Sequence, residues 1–208
     1  EPRFYANVAF NGAYCLYNNQ KDKYKWQLNN SGNDGKGGSW DFPRSGYVRI
    51  KGVSPAYNAK TESFVQIPWI MFRYGEVLLN YVEALNEYDP GNPDILKYLN
   101  MVRERAGLPG VAEGLDQSQM RDKIHHERRV ELCFEQLRYF DTRRWLKGYL
   151  NGGAFEGMNV DGGTSYDDPE FYQRTVFETR VFRDAYYLWP IPQKEINRDR
   201  NIIQNPGW

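Results

Sequence analysis

The strongest pattern along the chain is helical and lies at residues 68–88. Ile70, Tyr74, Val77, Leu78, Tyr81, Val82 and Leu85 recur at i, i+4, i+7 and i+8 spacing, which predicts one apolar stripe. Arg73, Glu76, Asn80, Glu83 and Glu87 fall largely on the other side. Pro68 suits a helix entrance, and Asp89-Pro90-Gly91 ends the helix. Asn92 then caps a second helix with Pro93 at its first position. Ile95, Leu96, Leu99, Val102 and Ala106 form its inner face, and Gly107 and Pro109 terminate it. Two amphipathic helices joined by a turn of about four residues predict an antiparallel hairpin. Its size matches a tetratricopeptide unit, without that repeat's Trp, Gly and Pro signature positions.

A third helix starts at Asp116, an N-cap with Gln119 three residues on and Leu115 and Met120 at staple positions. Ile124, Val130, Cys133, Phe134 and Leu137 carry it onward, and Tyr139–Lys147 extends it or begins a fourth. Elsewhere the period is shorter. Phe4, Ala6, Val8 and Phe10 alternate ahead of an Asn11-Gly12 turn and predict a strand. Further extended segments are expected at 47–51 and 176–182. Residues 29–39 have no apolar side chain and four glycines, and read as a flexible surface loop. Residues 148–170 read as loop, and Trp189-Pro190-Ile191-Pro192 as the end of regular structure. The expected architecture is mainly α, an α-α superhelix of tetratricopeptide-like hairpins with long loops and a few short strands. It divides into a loop and short-strand segment at 1–66, a helical core at 67–147, and a loop, extended segment and tail at 148–208.

Charge then excludes some functions. The chain of 208 residues carries 27 basic and 27 acidic side chains, which argues against nucleic acid as a partner. Net charge runs only from +4 over 1–66 to −3 over 151–208, so no local basic face replaces the missing excess. No apolar run reaches the length of a membrane-spanning helix. The opening Glu1-Pro2-Arg3-Phe4 reads like the interior of a longer protein. Cys15 and Cys133 lie 118 residues apart and read as thiols, not as a disulfide framework.

The densest charged cluster is Glu127, Arg128, Arg129, Glu131, Glu135, Arg138, Asp141, Arg143 and Arg144. Paired carboxylates can do acid–base work, but arginines on every side keep them ionised and unfit as general acids. A structural ion-pair network pinning helices together is the favoured reading. His125 and His126 are adjacent on a helix and diverge by about 100°, so they cannot share a metal. No metal and no cofactor are expected. Gly35-Lys36-Gly37-Gly38-Ser39 lacks phosphate-loop spacing. No nucleophile has a recognisable base partner, so catalysis has no positive support. Aromatic residues remain. Twelve of the 33 lie in residues 1–66, among them Tyr14, Tyr17, Tyr24, Trp26 and Trp40 near the glycine-rich loop. Flat rings on loops can stack on sugar rings or apolar ligands. Tyr14, Tyr17, Trp26 and Trp40 are therefore the candidate ligand-binding residues, against the plainer reading that they cover the helices.

Seven strings in order resemble one family. They are Pro2-Arg3-Phe4, the run from Arg73 to Leu85, Leu99–Gly107, Glu127–Glu135, Arg138-Tyr139-Phe140-Asp141 with Arg144-Trp145, Tyr187–Pro192, and Gln204–Trp208. The set is similar to the C-terminal region of the SusD/RagB family of outer-membrane nutrient-binding lipoproteins. Gln136-Leu137 and Thr142 depart from the family's usual residues. The resemblance implies a non-enzymatic protein held by lipid at the cell surface, with tetratricopeptide-like hairpins. It implies capture of oligosaccharides, or peptides in some members, and delivery to a TonB-dependent outer-membrane transporter. It also implies a missing N-terminal portion of the same protein, carrying the anchor and much of the ligand site. The chain should then expose apolar surface that normally packs on that portion. The alternative is a helical-repeat scaffold whose partner is a protein.

Overall fold

The computed structural model describes residues 1–16, 23–58 and 61–208. Its helices are α1 (Pro2–Asn7), α2 (Tyr74–Tyr88), α3 (Pro93–Arg105), α4 (Gln117–Glu131), α5 (Arg138–Arg144) and α6 (Gln193–Arg198). Two antiparallel pairs accompany them: β1 (Val8–Ala9) with β2 (Val48–Arg49), and β3 (Gly153–Met158) with β4 (Arg174–Arg180). The architecture is mainly helical, with short strands and long loops.

Local signals set the central helices. The Asn92 side chain accepts from the Asp94 amide at 3.0 Å, and Pro93 opens α3. Asp116 accepts from the Gln119 amide at 2.8 Å while Gln119 Oε1 takes the Asp116 amide at 3.0 Å, so the capping box is complete. Helix α2 packs against both α3 and α4. Leu78, Leu79 and Val82 of α2, Ile95, Leu99 and Val102 of α3, Met120 and Ile124 of α4, and Leu132 form the core.

Several expectations give way. The strand expected across Phe4–Phe10 is mostly α1. Glu1 caps the Arg3 amide and Pro2 opens the turn, so helix wins over alternation until Val8. Helix α2 begins six residues after Pro68, with Arg73 as an extended N-cap (φ −143°, ψ 163°). The apolar stripe therefore divides: Leu78 and Val82 are buried, whereas Ile70, Tyr74, Val77 and Tyr81 are exposed. Helix α4 stops at Glu131 because Phe134 (φ 64°) and Gln136 (φ 66°) adopt left-handed backbone. The chain turns there, and α5 is a separate helix. Strand β3 lies inside the expected loop 148–170, and α6 follows Pro192 directly.

The glycine-rich stretch 29–39 is a knot of hydrogen-bonded turns. The Gly35 amide donates to Gly32 O, Gly37 to Asn30 O and Gly38 to Gly35 O. A Cβ on Gly35 would lie 1.9 Å from Asn29 O, so glycine permits close backbone approach there. The stretch is stitched to residues 159–172 by Asn30 N to Gly162 O (3.0 Å) and Ser31 N to Gly163 O (3.3 Å). Leu28 and Phe171, each 1% exposed, are buried on the two stretches joined in this way.

Candidate functional site

The charged cluster forms two joined networks around α4. In the first, Glu127, 1% exposed, receives Arg3 Nη1 at 2.5 Å and Arg103 Nη1 at 2.7 Å. One turn on, Glu131 receives Arg3 at 2.8 Å, Arg73 at 2.8 Å and Arg105 at 3.4 Å. Glu135 receives Arg73 at 2.8 Å and Lys51 at 2.6 Å. Arg3 and Glu127 are 124 residues apart in sequence, so this network ties α1 to α4. Burial opposes ionisation of Glu131 and Glu135, but hydrogen bonds from arginine outweigh it and hold both carboxyls below the usual range.

The second network faces α2 and α5. Arg128 donates to both Asp141 oxygens, at 3.2 and 3.1 Å, and to Asn80 Oδ1 at 2.6 Å. Arg144 reaches Asp141 at 2.8 Å and pairs with Glu83, which also accepts from Trp145 Nε1 at 2.7 Å. His125 stacks on Trp145 at 3.6 Å between centroids, with Lys147 Nζ 3.2 Å from its Nδ1. Burial first, and the Lys147 charge second, push the His125 pKa down to about 4. Among the described residues, Arg129 and Arg138 pair with no carboxylate; Arg129 is exposed, and burial followed by Arg129 lowers the Arg138 pKa. Arg143 instead lies 3.4 Å over the Tyr139 ring. This frame pairs its carboxylates with cations from distant stretches of chain and so joins α1, α2, α3 and α5 to α4.

The aromatic candidates occupy different settings. Tyr14 and Trp26 belong to one short ladder, in which Tyr14 bridges Lys25 and the Trp26 amide donates to Ala13 O. Tyr14 is half exposed with Lys25 Nζ 5.0 Å over its ring, and Trp26 is half-buried. Trp40 stands past the knot of turns with 95% of its surface open. Tyr17 lies outside the described residues.

Two features were hidden from sequence reasoning. A cleft of about 220 Å³ is lined by Phe4, Tyr5, Phe10, Tyr47 and Tyr172 with the Asn11 amide. Alternation placed Phe4 and Phe10 on a strand; their clustering depends on α1. A larger cavity of about 470 Å³ opens between α2 and α3, bordered by Arg73, Tyr74, Met101, Arg105 and Glu131. In the segment that leads into Arg73, Phe64, Trp69, Ile70, Met71 and Phe72 lie exposed with no regular structure.

Among the described residues no helix is long and apolar enough to cross a membrane. The family model described as the SusD family matches residues 1–208. A SusD-like protein of Formosa agariphila, P2, is 34% identical over 170 residues, which are 78% of this chain and 29% of that protein. A solved SusD-like protein from Bacteroides fragilis superimposes with a TM-score of 0.83 at 32% identity, over 100% of this chain and 39% of its own. A SusD-like carbohydrate-binding protein from the same species gives 0.70 at 29% identity, over 95% and 40%. The chain thus spans well under half the length of these relatives. A match from end to end, carried by relatives about a third identical and by a shared helical fold, makes this chain a member of the SusD family.

Proposed function

We propose that the chain is part of a cell-surface protein that captures glycans and passes them to a TonB-dependent transporter in the outer membrane. It acts by binding and catalyses nothing. The carrying observation is Trp40, a 95% exposed ring that directly follows a hydrogen-bonded loop knot. A flat apolar face open to solvent can stack on a sugar ring. The carbohydrate-binding relative, 29% identical, supports the same ligand class. Tyr14, Tyr17 and Trp26 are the further proposed ligand-binding residues. The test is tryptophan fluorescence against a polysaccharide panel. A response lost in Trp40→Ala supports the reading, and a response untouched by Trp40→Ala and Trp26→Ala removes these rings from it. Cross-linking in native outer membranes would test the transporter, since recovery without any TonB-dependent partner counts against hand-over.

The exposed segment 64–72 and the α2–α3 cavity favour a second contact. Tyr74, Met101 and the 76% exposed Arg105 side chain offer an apolar floor with a charged rim. This face packs on the remaining portion of a family-length protein, with a lipid anchor on that portion.

A further inference from the structure

Four stretches of chain converge on the aromatic cleft: α1, residues 10–11, residues 46–47 and residues 158–172. Phe4 meets Tyr5 edge-on at 5.4 Å and Tyr47 edge-on at 6.0 Å, and stacks with Phe10 at 5.8 Å. Buried Phe171 closes the floor. A Cβ on Gly46 would lie 2.6 Å from Met158 Cβ, so this wall stands close against the floor. Tyr5 and Tyr172, 65% and 47% exposed, rim the mouth.

Chemistry and size narrow the occupant. None of the lining residues is charged, so an ionised ligand would shed hydration with no compensating partner. The volume of about 220 Å³ is below the roughly 300–1,000 Å³ of drug-sized sites, which leaves room for one ring and not for several. The polar atoms are fixed beforehand. Asn11, 5% exposed, accepts the Leu28 amide at 2.9 Å and aims Nδ2 at Tyr166 O (3.3 Å) and the Tyr172 hydroxyl (3.4 Å). The Tyr172 hydroxyl donates to Tyr166 O at 2.6 Å and accepts from Asn11, which leaves its oxygen one lone pair for a ligand hydroxyl. Apolar faces, a hydroxyl acceptor and a closed floor match a pyranose entering from one side.

We propose that this cleft takes a single neutral sugar ring at the end of a glycan, with Tyr5 stacking on it and Tyr172 accepting from one of its hydroxyls. The inference rests on the glycan-capture reading and adds to it where the chain end is held. The test is isothermal titration calorimetry of the 208-residue protein. The probes are methyl pyranosides of glucose, galactose, mannose and xylose, methyl glucuronide, and neutral di- to hexasaccharides.

One neutral methyl pyranoside should bind within about threefold of its hexasaccharide, with the glucuronide weaker by about tenfold, or roughly 1.4 kcal/mol. Tyr5→Ala and Tyr172→Phe should each weaken it by about tenfold. Tyr5 is mostly exposed and phenylalanine keeps the Tyr172 ring, so both variants should fold, as far-UV circular dichroism will show. Affinity that climbs more than about tenfold with chain length, or a preference for the glucuronide, overturns the proposal. Neutral-sugar binding unchanged in both variants overturns the cleft assignment and leaves glycan capture standing. No heat with any of these sugars overturns the cleft proposal, while glycan capture is decided separately by the Trp40 fluorescence test.

Discussion

Glu127 shows what a single buried charge does in this chain. It is 1% exposed and shared by Arg3 and Arg103, so neutralising it takes the carboxylate from the Arg103 pair and leaves Arg3 to Glu1 and Glu131. Glu127→Gln should cost about 3–5 kcal/mol, read as a lower urea midpoint at unchanged slope. A loss of under about 1 kcal/mol would mean that the pairs add little in water.

His125 gives a pH signature of known sign. Its folded pKa of about 4 lies below its ordinary 6.5, so the unfolded chain binds the proton first. The associated stability is complete above 6.5 and is lost as pH falls toward 4. Glu83, Glu131 and Glu135 add a second limb. Each is held below 4.5, with burial opposing ionisation and arginine hydrogen bonds outweighing it. Their contribution is present above 4.5 and disappears as pH falls through the folded values. Thermal midpoints should therefore drop in two stages, and His125→Phe should flatten the first. A midpoint constant from pH 7 to 4.5 would contradict this.

At the scale of elements, caps and stops decide where helices lie. The Asp116–Gln119 box closes reciprocally, so Asp116→Ala should cost about 1 kcal/mol. For a chain of this size that is a shift of roughly 2–4 °C in Tm by calorimetry. These signals were legible because they act within four residues. The start of α2 was not. Pro68 offered a local entrance, yet the Arg73 guanidinium meets Glu131 and Glu135, about 60 residues away, and holds its backbone extended. The break between α4 and α5 was equally hidden. It stations Arg128 against Asp141, a contact that repays left-handed backbone at Phe134 and Gln136.

For the whole molecule, exposed apolar surface is the notable property. Trp69, Ile70, Met71 and Phe72 are each 65–82% exposed on consecutive positions, beside open Tyr74. Isolated exposed apolar residues are ordinary, but a continuous run marks a docking face. The 208-residue chain should bind a hydrophobic dye at neutral pH while keeping native circular dichroism. A complementary portion of a family-length protein should suppress that signal. Native dichroism with no dye binding would remove this face from the proposed packing.

By itself the sequence determined the central hairpin, the caps of α3 and α4 and the family. Each rests on short-range spacing or on strings in order. Tertiary structure decided what those residues meet. It turned Phe4 and Tyr5 onto a helix, drew Arg3 to α4 and closed an aromatic cleft from four stretches of chain. It also divided the apolar stripe of α2 between core and surface. The physical reason is common to all of these: burial and ion pairing depend on partners far away in sequence, and periodicity records only that a face is apolar, not what will cover it.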